Sequence, residues 1–174
     1  AYYFIGGIMK HMKGMTAITN QLVNSYKRFV PGYEAPVYIA WSAKNRSPLI
    51  RIPAVKGEGT RIELRSPDPA ANPYLTLAVC LAAGLDGIEN EIMPPKSVDQ
   101  NIFEMSKVEK KAAKIEALPC NLLDAVRELE KDEFIKDVLG EHMTDLYVRA
   151  KKAEWNDYTM QVTSWEVDQY LYKF

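Results

Sequence analysis

Cysteine is scarce in this chain: Cys80 and Cys120 are the only two in 174 residues. Two thiols cannot build a disulfide framework, and neither lies near a second Cys or a His at metal-binding spacing. Reduced thiols in a cytoplasmic protein are the simplest expectation. The two histidines, His11 and His142, are isolated, so each reads as a surface or packing residue of a helix rather than a ligand. There is no Ser/His/Asp set, no P-loop and no dinucleotide-binding glycine fingerprint. No run approaches the ~18 apolar residues that a membrane span needs. The N-terminus lacks the basic stretch and small-residue cleavage site of a signal peptide. The chain is not basic overall, and its arginines follow no known reader motif, which argues against direct nucleic-acid binding.

What is present suffices for a folded unit. The chain is 47% hydrophobic, 26% charged and 10% aromatic, which excludes wholesale disorder. Its length suits about one domain with a core that needs no staples. The net charge of −1 hides an asymmetry. Residues 1–66 carry ten Lys and Arg against three Asp and Glu, a balance of +7; residues 67–174 carry twelve against twenty, a balance of −8. The basic part suggests an anionic ligand, the acidic part a solvated helical surface.

Residues 2–22 show helical spacing of Phe4, Ile5, Ile8, Met9, Met12, Met15 and Ile18, with a Gly6-Gly7 pair suited to close packing or a kink. Residues 24–36 hold two prolines and a Pro-Gly signal and read as a loop. Three β-like runs follow at 37–43, 49–53 and 61–65. In the last, Ile62 and Leu64 alternate with Arg61, Glu63 and Arg65, so a sheet would bury one face and display charge on the other. Asn72 followed by Pro73 is a good helix start. The helix after it is apolar nearly all round, which predicts burial, with Cys80 in the core. Residues 94–118 read as a surface connection, 121–130 as a short amphipathic helix, and 132–159 as helices with Leu139, Met143, Leu146, Ala150 and Trp155 on one side. The end carries Trp165, Tyr170, Tyr172 and Phe174.

The strongest chemical signal is a group of arginines: Arg46, Arg51, Arg61 and Arg65 within twenty residues, with Arg28 from the preceding loop. Guanidinium groups grip phosphate and carboxylate in bidentate fashion and stay charged when partly buried. Such a set clamps a polyanion or merely laces an outer strand face with salt bridges. Glu63, flanked by arginines, is either their ion-pair partner or one ligand of a hard cation. Glu34, in a Pro-flanked loop, is either solvated or a lid residue that shields a site from water.

Six blocks then carry a resemblance: Asn-Ser-Tyr-Lys-Arg (24–28), Pro-Gly-Tyr-Glu-Ala-Pro (31–36), Asn-Arg-Ser-Pro-Leu-Ile-Arg-Ile-Pro (45–53), Arg-Ile-Glu-Leu-Arg (61–65), Pro-Asp-Pro-Ala-Ala-Asn-Pro-Tyr-Leu (67–75) and Ala-Gly-Leu-Asp-Gly-Ile (83–88). In this order and spacing the chain strongly resembles the C-terminal part of prokaryotic type I glutamine synthetases, well under half of a family chain. That fits a start at Ala1 within an apolar helix. The resemblance implies an α+β fold, with antiparallel strands of the ATP-guanido kinase-like catalytic domain backed by helices. Residues 1–93 are expected to be the C-terminal part of that domain. Residues 94–174 are expected to be a surface connection and a helical region with a docking tail.

The resemblance implies an ATP-dependent glutamate–ammonia ligase working through γ-glutamyl phosphate, with Mg²⁺ or Mn²⁺. Arg28 and Arg65 are then expected to hold the glutamate carboxylate, and Glu34 to be the flap residue that shapes the ammonium site and accepts a proton. Arg46 would stabilise the phosphoryl group in flight and contact ATP, with Arg51 and Arg61 on the nucleotide phosphates and Glu63 on a metal. Lys56 is left without an assigned adenine contact, because its segment is about one residue shorter than in adenylylated enzymes. Asn101-Ile102 is followed by Phe103 where those enzymes carry a tyrosine, which implies that adenylylation is absent. The run from Gly140-Glu141-His142 through Trp165-Glu166 resembles Gram-positive-type enzymes, which implies feedback control and regulator proteins. Two stacked hexameric rings in the cytoplasm are the expected assembly. The alternatives are a ligase of the same fold joining glutamate to another amine, such as a polyamine, and a non-catalytic structural or regulatory homologue. Most family metal ligands would lie upstream, so the 174 residues alone are expected to be inactive.

Overall fold

The computed structural model describes every residue except Glu34, Arg46, Lys56 and Phe174. Its centre is helix α1, Tyr2–Thr19, as the spacing predicts. Ile5, Met12 and Met15 on it have no exposed surface. Val79 and Ala83 of α2 (Pro73–Glu89) close one side of the core. Leu122, Ala125, Val126 and Leu129 of α4 (Leu122–Lys131), with Ile135 of α5 (Glu133–Leu139), close the other. The core therefore runs without a break from the residues before position 94 to those after it.

The Gly6-Gly7 pair serves close packing rather than a kink, and α1 runs on through it. A Cβ on Gly7 would overlap the Ala83 carbonyl oxygen, and one on Gly87 the Tyr3 carbonyl oxygen. Only glycine lets the α1 and α2 backbones come this near. Helix α2 starts as expected: the Asn72 side chain accepts hydrogen bonds from the Tyr74 and Leu75 amides, with Pro73 in the first turn.

The loop 24–36 opens with a 3₁₀ turn, Val23–Arg28. The β-like runs form short strands: β1 (Tyr38–Ile39), β2 (Trp41–Ser42), β3 (Ile50–Arg51) and β4 (Glu63–Leu64). With β5 (Glu116–Ala117) they make an α+β fold with two small sheets, β1–β5 and β2–β3–β4. The β1–β5 and β3–β4 pairs are antiparallel, whereas β2 runs parallel to β3. Strand β5 and the short helix α3 (Lys107–Ala112) lie inside 94–118, where the sequence predicts a surface connection. The signal for α3 was present: Ser106 and Glu109 form a capping box.

Three burial expectations need correction. Helix α2 is buried on one face only. Leu77 is 68% exposed and Leu81 57%, because α1 and α5 cover one side and no described residue covers the other. Cys80 is accordingly half-buried rather than core, and burial pushes its thiol up to about 11. On α6 (Glu141–Thr159), Leu146 and Ala150 are exposed. Thr144 and Val148 face inward instead, because Tyr147 beside them donates its hydroxyl to the Ala17 carbonyl at 2.7 Å. On α7 (Ser164–Tyr170) and beyond, Trp165, Tyr170, Leu171 and Tyr172 are all exposed. These aromatics do not fold back on their own domain.

Candidate active site

Period-two alternation decides what β3 and β4 present. Ile50 pairs with Leu64 on the core side, and Arg51 stands directly opposite Glu63. Arg51 Nη1 donates to Glu63 Oε2 at 3.2 Å. Arg61, on the same face two residues before Glu63, donates from Nε and Nη2 to Oε1 at 2.9 and 2.7 Å. Its Nη1 also donates to the Gly59 carbonyl at 3.2 Å. Two guanidiniums and one carboxylate leave this cluster with a single positive charge. The Arg61 hydrogen bonds, and then the Arg51 charge, hold the Glu63 carboxyl below its usual range. Glu63 therefore stands in this structure as the ion-pair partner of its arginines.

Arg28 leaves the 3₁₀ turn toward the chain just after β4. Its Nη1 lies 3.5 Å from the Ser66 and Pro67 carbonyls and 3.7 Å from Asp68 Oδ2. Asp68 is fixed in turn: its amide donates to the Thr19 carbonyl at 2.8 Å and its Oδ1 accepts from the Ala70 amide at 2.7 Å. Arg65, one residue before Ser66, has its amide tied to the Leu49 carbonyl at 3.0 Å. It lines a cleft of about 550 Å³ with Gly32, Tyr33, Asn45, Ser47 and Phe103. The structure thus joins Arg51 and Arg61 through Glu63, places Arg65 in an adjoining segment, and sets Arg28 beside that segment. Glu34, Arg46 and Lys56 lie outside the described residues, so the two expected catalytic positions are known here by their neighbours in sequence.

Sequence reading missed Asn45 as a site residue. Its Nδ2 donates to the Val98 and Gln100 carbonyls at 3.0 and 3.1 Å, and its Oδ1 accepts from the Ser47 amide and hydroxyl, both at 3.0 Å. One side chain thus ties Asn45 and Ser47 to the segment 98–100. Ser42 reinforces the link by donating to Asp99 Oδ1 at 2.9 Å. The hint lay in the sequence, since Asn and Ser flank Arg46 and both are loop-bracing residues. Tyr33 and Phe103 also escaped notice as walls of the cleft.

Among the described residues, no three His, Cys, Asp or Glu side chains come together as a metal cage. None of the described helices is long and apolar enough to cross a membrane.

Residues 1–170 match the family model for the glutamine synthetase catalytic domain. The chain is 56% identical over its full length to a glutamine synthetase of Clostridium saccharobutylicum and covers 39% of that protein. It is 54% identical to a glutamine synthetase of Thermotoga maritima over 98% of the chain, again covering 39% of the relative. A solved GmaS/ADP complex superposes with a TM-score of 0.83 at 44% identity, covering 98% of this chain and 39% of that one. A GmaS without ligand gives a TM-score of 0.80. The chain spans about two fifths of the length of the curated relatives it matches.

Proposed function

Because this chain belongs to the glutamine synthetase catalytic-domain family, we propose that it is part of an ATP-dependent ligase joining glutamate to ammonia through γ-glutamyl phosphate. The observation that carries the reading is the Arg51–Glu63–Arg61 cluster beside the Arg65-lined cleft. Phosphoryl transfer needs charge neutralised on the equatorial oxygens, and fixed guanidiniums do this without reorganising. Arg51 and Arg61 are already aligned by Glu63. An incoming polyphosphate would find their remaining N–H groups on one strand face. The ADP held by a related fold supports a nucleotide here.

Arg65 and Arg28 take the carboxylate of glutamate in this reading. Arg28 suits the task because its contact with Asp68, at 3.7 Å, is loose. Arg46, between Asn45 and Ser47, would meet the transferred phosphoryl group from the braced loop. Glu34, which follows the cleft residues Gly32 and Tyr33, would close over the acyl phosphate, exclude water and take a proton from ammonium. A Mg²⁺ or Mn²⁺ ion, when bound, would supply further charge neutralisation. The described residues offer it only Glu63 in this cluster, already engaged by two arginines, and by themselves they do not fit a metal site.

Activity belongs to a longer protein on this reading. The chain covers 39% of its relatives, and α2 and α7 leave apolar faces uncovered. We assign those faces to contacts with the rest of the catalytic domain and with other subunits of a ring assembly. We keep residues 1–93 as the catalytic-domain part and 94–174 as the surface connection and helical region with its tail, the two parts joined through the common core and the Asn45–Val98 hydrogen bond. The test is an assay of the full-length protein with ATP, Mg²⁺, glutamate and ammonium. Glutamine and phosphate should appear in equal amounts, whereas an absence of phosphate release overturns the ligase reading. The isolated 174 residues should show no turnover, and glutamine formation by them would refute the assignment of the missing ligands to other segments.

A further inference from the structure

Seven of the fourteen described lysines have acidic partners: Lys10, Lys13, Lys44, Lys131, Lys136, Lys151 and Lys152 each lie within 3.1 Å of a carboxylate oxygen. Lys107, Lys110, Lys111 and Lys114, on and just after α3, have no ion pair among the described residues. The nearby acids are engaged elsewhere. Glu109 Oε2 accepts from the Ser106 amide at 2.7 Å, Glu104 Oε1 from Asn101 Nδ2 at 2.8 Å, and Glu116 Oε1 pairs with Lys13 Nζ at 3.1 Å. Four like charges at helical spacing repel one another.

These lysines rim a concave space of about 800 Å³ whose wall includes Tyr38, Ile115 and Glu116, the last neutralised by Lys13. The wall is built rather than incidental. Lys110 Nζ donates to the Tyr38 hydroxyl at 3.0 Å and lies 4.5 Å from the ring centroid. Phe103 packs against the same ring, centroids 6.0 Å apart. The chain turns into this wall at Lys114, whose φ of +54° is uncommon for a residue with a side chain, and the Ile115 amide closes the turn on the Lys110 carbonyl at 2.9 Å. Favourable placement near a helix C-terminus accounts for Lys110 and Lys111. It accounts neither for Lys107 in the first turn nor for the aromatic wall.

We propose that this groove binds a phosphorylated small molecule. Its phosphates meet the Lys107, Lys111 and Lys114 ammonium groups, and its apolar or planar part lies on the Tyr38–Ile115 wall. Ammonium groups on flexible stems serve as point-charge phosphate donors, and several of them converging suit a multiply charged group better than a single carboxylate. The site is distinct from the candidate active site, although Phe103 borders both.

The test uses inorganic tripolyphosphate as the probe, titrated calorimetrically into the full-length protein at low salt. Lys107→Ala/Lys111→Ala/Lys114→Ala should weaken binding at least tenfold. The three side chains are exposed, alanine favours the helix at 107 and 111, and at 114, beyond α3 with φ +54°, it is no more strained than lysine, so the variant should keep its melting temperature. A control that removes the same charge elsewhere, Lys131→Ala/Lys136→Ala/Lys152→Ala, should bind as the parent chain does. The Tyr38 ring signals should shift on binding. Absence of binding overturns the proposal, as do equal loss in the control, loss confined to an Arg51→Ala/Arg61→Ala variant, and equal competition by hexaglutamate.

Discussion

His11 and Asp132 tie α1 to α5: the imidazole Nδ1 lies 2.9 Å from Asp132 Oδ2, while Nε2 lies 2.9 Å from Asp86 Oδ2 on α2. A neutral ring can donate from only one nitrogen, so carboxylates at both favour the imidazolium. The ring is buried and stacks on Phe134, centroids 4.5 Å apart. Lys10 Nζ adds a second cation on Asp86 Oδ2 at 3.0 Å, and Lys13, Glu128, Lys131 and Glu133 line the open side near Asp132. One side chain thereby locks three helices.

The lock predicts a pH window. Burial alone would push the His11 pKa down, but hydrogen bonds to Asp132 and Asp86 outweigh it and the net direction is up. A cation with a raised folded pKa stabilises fully below its ordinary value of about 6.5, and the gain fades as pH rises through the folded value. Asp86 is subject to opposing effects. Burial raises its pKa, yet the bonds from His11 and Lys10 bring it below the usual range, so its contribution is lost as pH falls into the acid region. Stability should therefore be highest between the ordinary carboxylate range and about pH 6.5, and decline above that as His11 loses its proton. His11→Gln should cost about 3 kcal/mol in urea unfolding at pH 6 and flatten the alkaline limb. A variant with the parent's pH profile would exclude this role.

Glycine to alanine inside a helix ordinarily gains up to about 1 kcal/mol. Gly7→Ala and Gly87→Ala should do the reverse, because the new methyl group meets backbone oxygen rather than a movable side chain. Overpacking of this kind costs about 1–3 kcal/mol, enough to reverse the propensity gain. Thermal unfolding decides the matter, and a raised melting temperature would show that the helices can separate at no cost.

The helices were legible where one local rule sufficed. The apolar stripe set α1, and Asn72-Pro73 set the start of α2. The alternation around Glu63 is enough to place it with Arg61 on one face. Pairing across distance was not legible. Nothing in the sequence says that His11 meets Asp132, 121 residues away, or that Asn45 reaches Val98 and Gln100. Apolar pattern also failed to say what is covered. An all-apolar α2 reads as buried, yet burial requires a neighbour on each side, and Leu77 and Leu81 have none among the described residues.

Asn45 should act as a positioning residue for the candidate active site. Asn45→Asp keeps the acceptor for Ser47 but loses both donations to the 98–100 segment. In the full-length protein this should lower kcat about 10-fold or more, since small misplacements near reacting groups are costly, with little change in melting temperature. Asn45→Ser removes the long reach as well and should be at least as slow. Wild-type kcat in Asn45→Asp would show that the link to 98–100 does not order the 45–47 loop for catalysis.

The lid role of Glu34 makes a sharper demand, because it separates chemistry from nucleotide binding. Arg51, Arg61 and Glu63 sit on the strands β3 and β4 and their flank, whereas Glu34 follows the cleft residues Gly32 and Tyr33 in the sequence. Removing its carboxylate should therefore leave the polyphosphate contacts intact. Glu34→Ala in the full-length protein should cut glutamine formation about 100-fold, the scale of losing a general base, while ATP affinity stays within about threefold. Phosphate release should fall less than glutamine formation, because an unshielded acyl phosphate hydrolyses. Equal losses in the two products would remove the shielding role. A large loss of ATP binding with normal turnover would place Glu34 with the nucleotide instead.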